Sequence, residues 1–205
     1  MTRMSAGDRR ELLVEAAIRV MTRDGVAKAT TRAIAAEADM PLGVFHYAFR
    51  SKQELMTMVT ETIARQSKAE IDAAVLGDEP PELLDLVFAG LCAYFDHVVH
   101  HPHEHLVTYE LTTNALRDPE LLEVGKRQYD YYLEQNAALL EAVAELMGFE
   151  YTEPLPIINR YVFSVMDGLA LNWLAKGEED EARAVLHLLA RTLTTMVRPT
   201  GGTDG

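Results

Sequence analysis

A chain of 205 residues, 48% hydrophobic and 25% charged, fits one large domain or a small one joined to a larger, and its composition excludes a disordered or fibrous polymer. No run reads as the ~18–20 apolar residues of a membrane span, the N-terminus has no apolar leader stretch, and a single cysteine, Cys92, excludes an internal disulfide, so a reducing cytoplasm is expected. The net charge of −13 argues against a nucleic-acid partner only until it is divided: residues 1–60 hold nine Lys/Arg against seven Asp/Glu, and the remainder hold ten against twenty-five.

Almost every stretch has helical periodicity. Residues 8–24 place Leu13, Ala16, Ala17, Val20 and Met21 on one face, with Asp8 and Glu11 at capping-box spacing and Gly25 as the stop. A short helix over 31–38 follows a threonine cap, and another over 42–48 follows Pro41. Ser51-Lys52-Gln53-Glu54 opens a helix that runs to about residue 76, and Gly77-Asp78-Glu79-Pro80-Pro81 breaks it. The helix from Pro81 to about His101 is apolar nearly all round, which predicts burial on most sides. Pro102 ends it, and helices over 104–117, 119–147, 154–176 and 178–197 complete an all-α chain of about nine helices with no convincing strand. Residues 201–205 read as a flexible tail.

The segment 30–55 carries the sharpest signal. Helix 42–48 is too short to stand alone, so packing must hold it, with Phe45 and Phe49 as inward anchors. Leu42, Gly43, His46 and Tyr47 are left on the outer side, short, aromatic and nearly uncharged, which suits insertion into a groove. Thr31 and Arg32 open the preceding helix and Lys52 the following one, where free N–H groups and cations favour phosphates. Two helices joined by a tight turn in this way fit a helix-turn-helix, whose second helix enters the major groove of double-stranded DNA, and by spacing alone they fit an ordinary helical bundle as well.

Thr30-Thr31, Ile34-Ala35, Gly43, His46-Tyr47, Phe49 and Ser51-Lys52 with Glu54-Leu55, in that order, resemble the DNA-binding domain of the TetR family of transcriptional regulators. The resemblance covers roughly residues 8–60. It implies a DNA-binding domain over 1–51 and a helical ligand-binding and dimerisation domain over 52–200, acting as a homodimeric repressor released from a near-palindromic operator by a small-molecule effector. Four positions depart from the family pattern, one of them His46, which stands where tyrosine is frequent, with Tyr47 next to it. Asp39 stands where glycine is usual in the turn, although Asp tolerates the left-handed conformation. Pro41 replaces a frequent serine, and Ala48 a frequent histidine. A helical ligand-binding or interaction module without DNA binding is the alternative that these departures keep open.

In the acidic remainder, the candidate effector contacts are Phe88, Cys92 and Phe95, then Tyr109, Thr112, Thr113 and Leu116, then Tyr129, Tyr132 and Asn136, and finally Asp167 and Asn172: apolar walls with a few polar groups. Seven of the eight tyrosines lie beyond residue 90, which favours an aromatic effector. Helix 154–176 is apolar on more than one face, so one face can meet its own core and another a partner chain. Gly168, Leu169, Trp173, Leu186, Leu189 and Leu193 are the candidate dimer contacts. Five histidines fall between His97 and His105; His97 and His101 have metal-ligand spacing, but Pro102 breaks the helix there, and surface histidines at a helix C-terminus account for the cluster without a metal. No cofactor or catalytic motif is present.

Overall fold

The computed structural model describes residues 5–75, 82–119 and 121–200. The expected break at 77–81 and the tail at 201–205 lie outside them. Nine α-helices and one two-stranded ribbon are present among the described residues, and the chain divides into two compact units, residues 1–65 with 101–130, and residues 66–100 with 131–205. This division cuts across the boundary expected at residues 51–52.

The first unit begins with α1 (Ala6–Asp24). Its capping box is one turn earlier than the Asp8/Glu11 pair expected. Asp8 N donates to Ser5 Oγ at 3.1 Å and Ser5 N to Asp8 Oδ2 at 3.0 Å, which holds the Asp8 carboxyl below its usual range. Gly25, at φ 87°, takes the chain out of α1 into a single 3-10 turn at Val26–Lys28. Then α2 (Thr31–Glu37) starts on Thr30, whose hydroxyl accepts from Ala33 N at 3.1 Å, and α3 (Leu42–Ala48) follows after a turn.

The long α4 (Lys52–Val75) opens where Ser51 Oγ accepts from Glu54 N at 3.1 Å. Helix α6 (Pro102–Arg117) starts on Pro102 itself, two residues ahead of the expected start, because proline lacks only an N–H that a first turn leaves unpaired anyway. The start of α7 (Leu122–Met147) belongs here too. Val107 and Leu111 of α6 and Val124 of α7 join Leu13, Val14, Ala17, Met21, Ile34, Phe45, Leu55 and Val59 in one apolar core. That shared burial is why the packing boundary does not fall at residue 51.

In the second unit, α5 (Leu83–His100), the C-terminal part of α7, α8 (Leu155–Lys176) and α9 (Glu179–Thr194) enclose a core of Leu91, Phe95, Ile158, Val162, Met166, Leu186, Leu189 and Leu193. Helix α5 is less enclosed than its composition suggests: Val87, Phe88 and Cys92 are half-buried and Ala89 is exposed. Its length and mean hydropathy of 1.4 do meet those of a membrane span, contrary to the sequence reading, a property that the core helix of a soluble protein shares. Two short strands were also missed: β1 (Phe149–Tyr151) pairs antiparallel with β2 (Val197–Pro199), Phe149 opposite Pro199 and Tyr151 opposite Val197. Three residues are too few for alternation to register in a sequence.

Candidate nucleic-acid interface

The seven residues of α3 divide cleanly. Phe45 is buried with its ring 5.4 Å from that of Phe49, also buried, while Leu42 is half-buried and Gly43 and His46 are exposed. Tyr47 is 95% exposed, an aromatic ring with nothing of its own chain to cover it. The turn before α3 uses Asp39 at φ 51°, so the aspartate occupies the left-handed conformation the turn requires. Pro41 then supplies the N-cap position without a side-chain hydrogen bond.

The cations around this helix fall into two groups. Arg19 and Arg23 of α1 bind the Glu37 carboxylate at 3.0 and 2.9 Å, depressing its pKa through their hydrogen bonds, and Arg10 pairs with Glu54. Lys28, Arg32, Arg50 and Lys52 make no ion pair among the described residues, and all four are exposed. Arg32 and Lys52 were expected at the interface, and Thr31 is half-buried beside them. Lys28 and Arg50 were not expected, although their places two residues from Thr30 and one from Ser51 were a usable signal. An exposed aromatic helix near in sequence to exposed cations without ion pairs can present base-reading groups and phosphate contacts.

The chain is similar to known proteins in sequence and in fold. Residues 13–59 match the family model described as bacterial regulatory proteins, tetR family, and residues 82–195 match the tetracyclin repressor-like C-terminal domain. The HTH-type nicotine-responsive transcriptional repressor HdnoR of Paenarthrobacter nicotinovorans is 30% identical over 84% of this chain and 87% of its own length. The chain belongs to the tetR family. The multidrug binding protein EbrR, solved with imidazole, is 31% identical with a TM-score of 0.65 over 89% of both chains. A Rhodococcus tetR-family regulator shares the fold, with a TM-score of 0.76 over 91% of this chain and 98% of its own, at 17% identity. This protein is thus a tetR-family transcriptional regulator, and the family is regulatory rather than enzymatic.

The regulator's candidate effector contacts are divided between the two units. Phe88, Cys92, Phe95, Tyr132, Asn136, Asp167 and Asn172 lie in the second unit; Tyr109, Thr112, Thr113, Leu116 and Tyr129 lie in the first. Leu116 is 68% exposed, and Thr113 and Asn172 are exposed, the Thr113 hydroxyl and the Asn172 amide nitrogen donating to carbonyls of their own helices, so these three do not line an enclosed site. Buried Thr112 likewise donates to Thr108 O. Around Phe95 the picture differs. Trp173 meets its ring edge-on at 5.8 Å and the Arg183 guanidinium lies 5.6 Å away, held by Asp96 and Glu179 at 2.6 and 2.8 Å. Phe88 stacks edge-on against His187, and burial pushes the Cys92 thiol up. Trp173 Nε1 is buried and has no hydrogen-bond partner among the described residues. Asn136 binds Asn159 at 2.7 Å, a buried polar residue that sequence reasoning missed because it sits in an apolar run.

The expected dimer contacts need correction. Leu186, Leu189 and Leu193 are buried in their own chain, Leu186 at 0% exposure, so they cannot meet a partner. Leu169 and Trp173 are half-buried against the same core. The apolar side chains left outward are Ile157 (60% exposed), Tyr161 and Leu171 on α8, with Val185 and Leu188 (61% exposed) on α9. Gly168 falls on that α8 face, and a Cβ there would meet nothing within 4 Å.

The histidines also divide. His100, His101 and His103 are exposed, as a helix-end cluster should be, but His97 and His105 are buried. Helical spacing turns these two inward, so the cluster is not one surface feature. Among the described residues no group of three or more His, Cys, Asp or Glu side chains could hold a metal.

Proposed function

We propose that the protein is a homodimeric repressor that grips a near-palindromic operator through α3 and is released by a small aromatic effector. One observation carries the reading: Tyr47 and His46 project from a helix whose opposite side is anchored by buried Phe45, while Lys28, Arg32, Arg50 and Lys52 of the flanking segments are exposed and make no ion pair among the described residues. In that role His46, Tyr47 and the edge formed by Leu42 and Gly43 meet base edges, and the four cations with Thr31 meet phosphates.

Dimerisation sets two such helices on successive turns of the duplex. Its surface would be the outward face of Ile157, Tyr161, Leu171, Val185 and Leu188, with Gly168 as a notch for close helix approach. For the effector, the aromatic group around Phe95 and Trp173 supplies apolar walls, and the unpartnered Trp173 Nε1 supplies a donor for an acceptor atom. The nicotine response of HdnoR and the imidazole bound to EbrR make small nitrogen heterocycles the first class to try. An effector shifts DNA affinity only by its differential affinity for the bound and free conformations.

The test is a selection from random duplex DNA, followed by titration of the enriched site with and without nicotine and related heterocycles. A near-palindrome with half-sites about one helical turn apart, or a multiple, is expected, with release by at least one heterocycle. Failure to enrich any sequence would overturn the regulator reading in favour of a binding module. Enrichment without release would overturn the effector class alone.

A further inference from the structure

Arg10, which no DNA-contact argument selects, gathers four contacts. Its Nη1 donates to the carbonyl oxygen of Ala48, the last residue of α3, at 3.3 Å; its Nη2 meets the Glu54 carboxylate; its Nε points at Met58 Sδ at 2.9 Å; and its guanidinium carbon lies 5.1 Å from the Phe49 ring centroid. The other Glu54 oxygen accepts from Arg50 N at 2.8 Å, and these two partners hold the carboxyl below its usual range, the Arg50 N–H contributing most. One side chain of α1 thereby ties together the C-terminal end of α3, the link at residues 49–51 and the first two turns of α4. Arg19 and Arg23, further along α1, hold the C-terminal end of α2 through Glu37 in the same way.

Helix α3 needs such a tie. It has seven residues, and Phe45 is its one fully buried side chain. Phe45 sits at the middle of the helix, so each end lies about 4.5 Å from it at about 1.5 Å per residue, and a tilt of about 10° about that anchor displaces each end by about 0.8 Å, more than the roughly 0.5 Å tolerance of a working recognition site. The planar guanidinium can satisfy a carbonyl and a carboxylate while stacking on a ring, which an ammonium cannot.

We propose that Arg10 is a positioning residue for operator recognition: without touching DNA, it fixes the angle at which α3 presents His46 and Tyr47 and so sets sequence specificity. The inference rests on the DNA-reading assigned to α3 above. It differs from two plainer roles. A phosphate contact would contribute to affinity on every sequence and to the salt dependence. A purely structural residue would change the folded fraction and leave the preference among sequences alone.

The experiment titrates the selected operator and a scrambled duplex, across a range of salt, with wild type, Arg10→Gln and Arg10→Lys, and records thermal midpoints and dimer mass alongside. Arg10→Gln should lower operator affinity about 10- to 100-fold, the size of one or two lost base contacts, while scrambled-DNA affinity and the salt slope stay at wild-type values. Arg10→Lys, which keeps the charge and is the milder change for folding, should lose most of the same discrimination. An unchanged operator-to-scrambled ratio in both folded variants overturns the proposal. So does a parallel fall on both duplexes with a salt slope reduced by about one per reading head. Wild-type discrimination in Arg10→Lys overturns it too, since charge alone would then suffice. Absence of any operator preference in the wild type overturns the DNA-reading itself, and this inference with it.

Discussion

Helices α3 and α8 solve opposite problems. In α3 the inward and outward residues differ in kind: Phe45 packs inside, while Gly43, His46 and Tyr47 face out. In α8 both faces are apolar, with Ile158, Val162, Met166 and Ala170 buried and Ile157, Tyr161 and Leu171 exposed. An exposed face that differs from its core announces a polar or mixed partner such as DNA. An exposed face that resembles its core announces another protein surface of the same kind. Substitutions within each helix should therefore separate folding from association.

The largest contrast lies in α3. Phe45→Ala should cost about 3–5 kcal/mol of stability, as for other buried phenylalanines, whereas Tyr47→Ala should stay within about 0.5 kcal/mol of wild type and lose operator binding. Urea unfolding measured beside DNA titration checks both, and a Tyr47→Ala protein that unfolds early would break the distinction. In the second unit, Leu186→Ala should cost about 2–5 kcal/mol. Leu188→Glu, two residues on but outward, should leave the fold intact and weaken the dimer at least about tenfold; sedimentation equilibrium measures it, and an unaltered dimer would remove α9 from the interface.

That contrast explains which features were legible in the amino-acid sequence. The bounds of α3, the anchors Phe45 and Phe49, the threonine cap of α2 and the left-handed Asp39 were legible because local rules decide them: a turn needs a permissive residue, and a short helix needs an anchor. The dimer face was not legible. Leu186 and Leu188 are identical in chemistry, and only the packing of α5, α8 and α9 determines which is enclosed. Similarly, His97 and His105 read as surface residues because their neighbours are histidines, yet the helical repeat places them in cores. Arg10 was invisible for another reason: its partners lie 38 to 48 residues away in sequence.

Two smaller effects refine the picture. Tyr151 donates to Leu140 O at 3.2 Å, and burial pushes its pKa up from 10.0 to about 12. The neutral phenol therefore stabilises the fold fully below pH 10, and that contribution disappears as pH rises towards 12. Unfolding free energies across this window should fall for wild type and fall less for Tyr151→Phe. At the turn before α3, Asp39→Ala should cost about 1 kcal/mol because alanine lacks the short polar side chain that eases a positive φ. Asp39→Gly should change stability by less than about 0.5 kcal/mol, since glycine relieves the conformation but loosens the unfolded chain.

The central claim is that the outward face of α3 reads DNA while its inward face only holds the helix. Its most direct test is an anisotropy titration of the selected operator, at two salt concentrations, with wild type and the double substitution His46→Ala with Tyr47→Ala. The expected result is loss of operator preference in the double variant, with its residual salt-dependent binding and thermal midpoint unchanged. A double variant that still prefers the operator as strongly as wild type would contradict the claim and place the reading surface elsewhere.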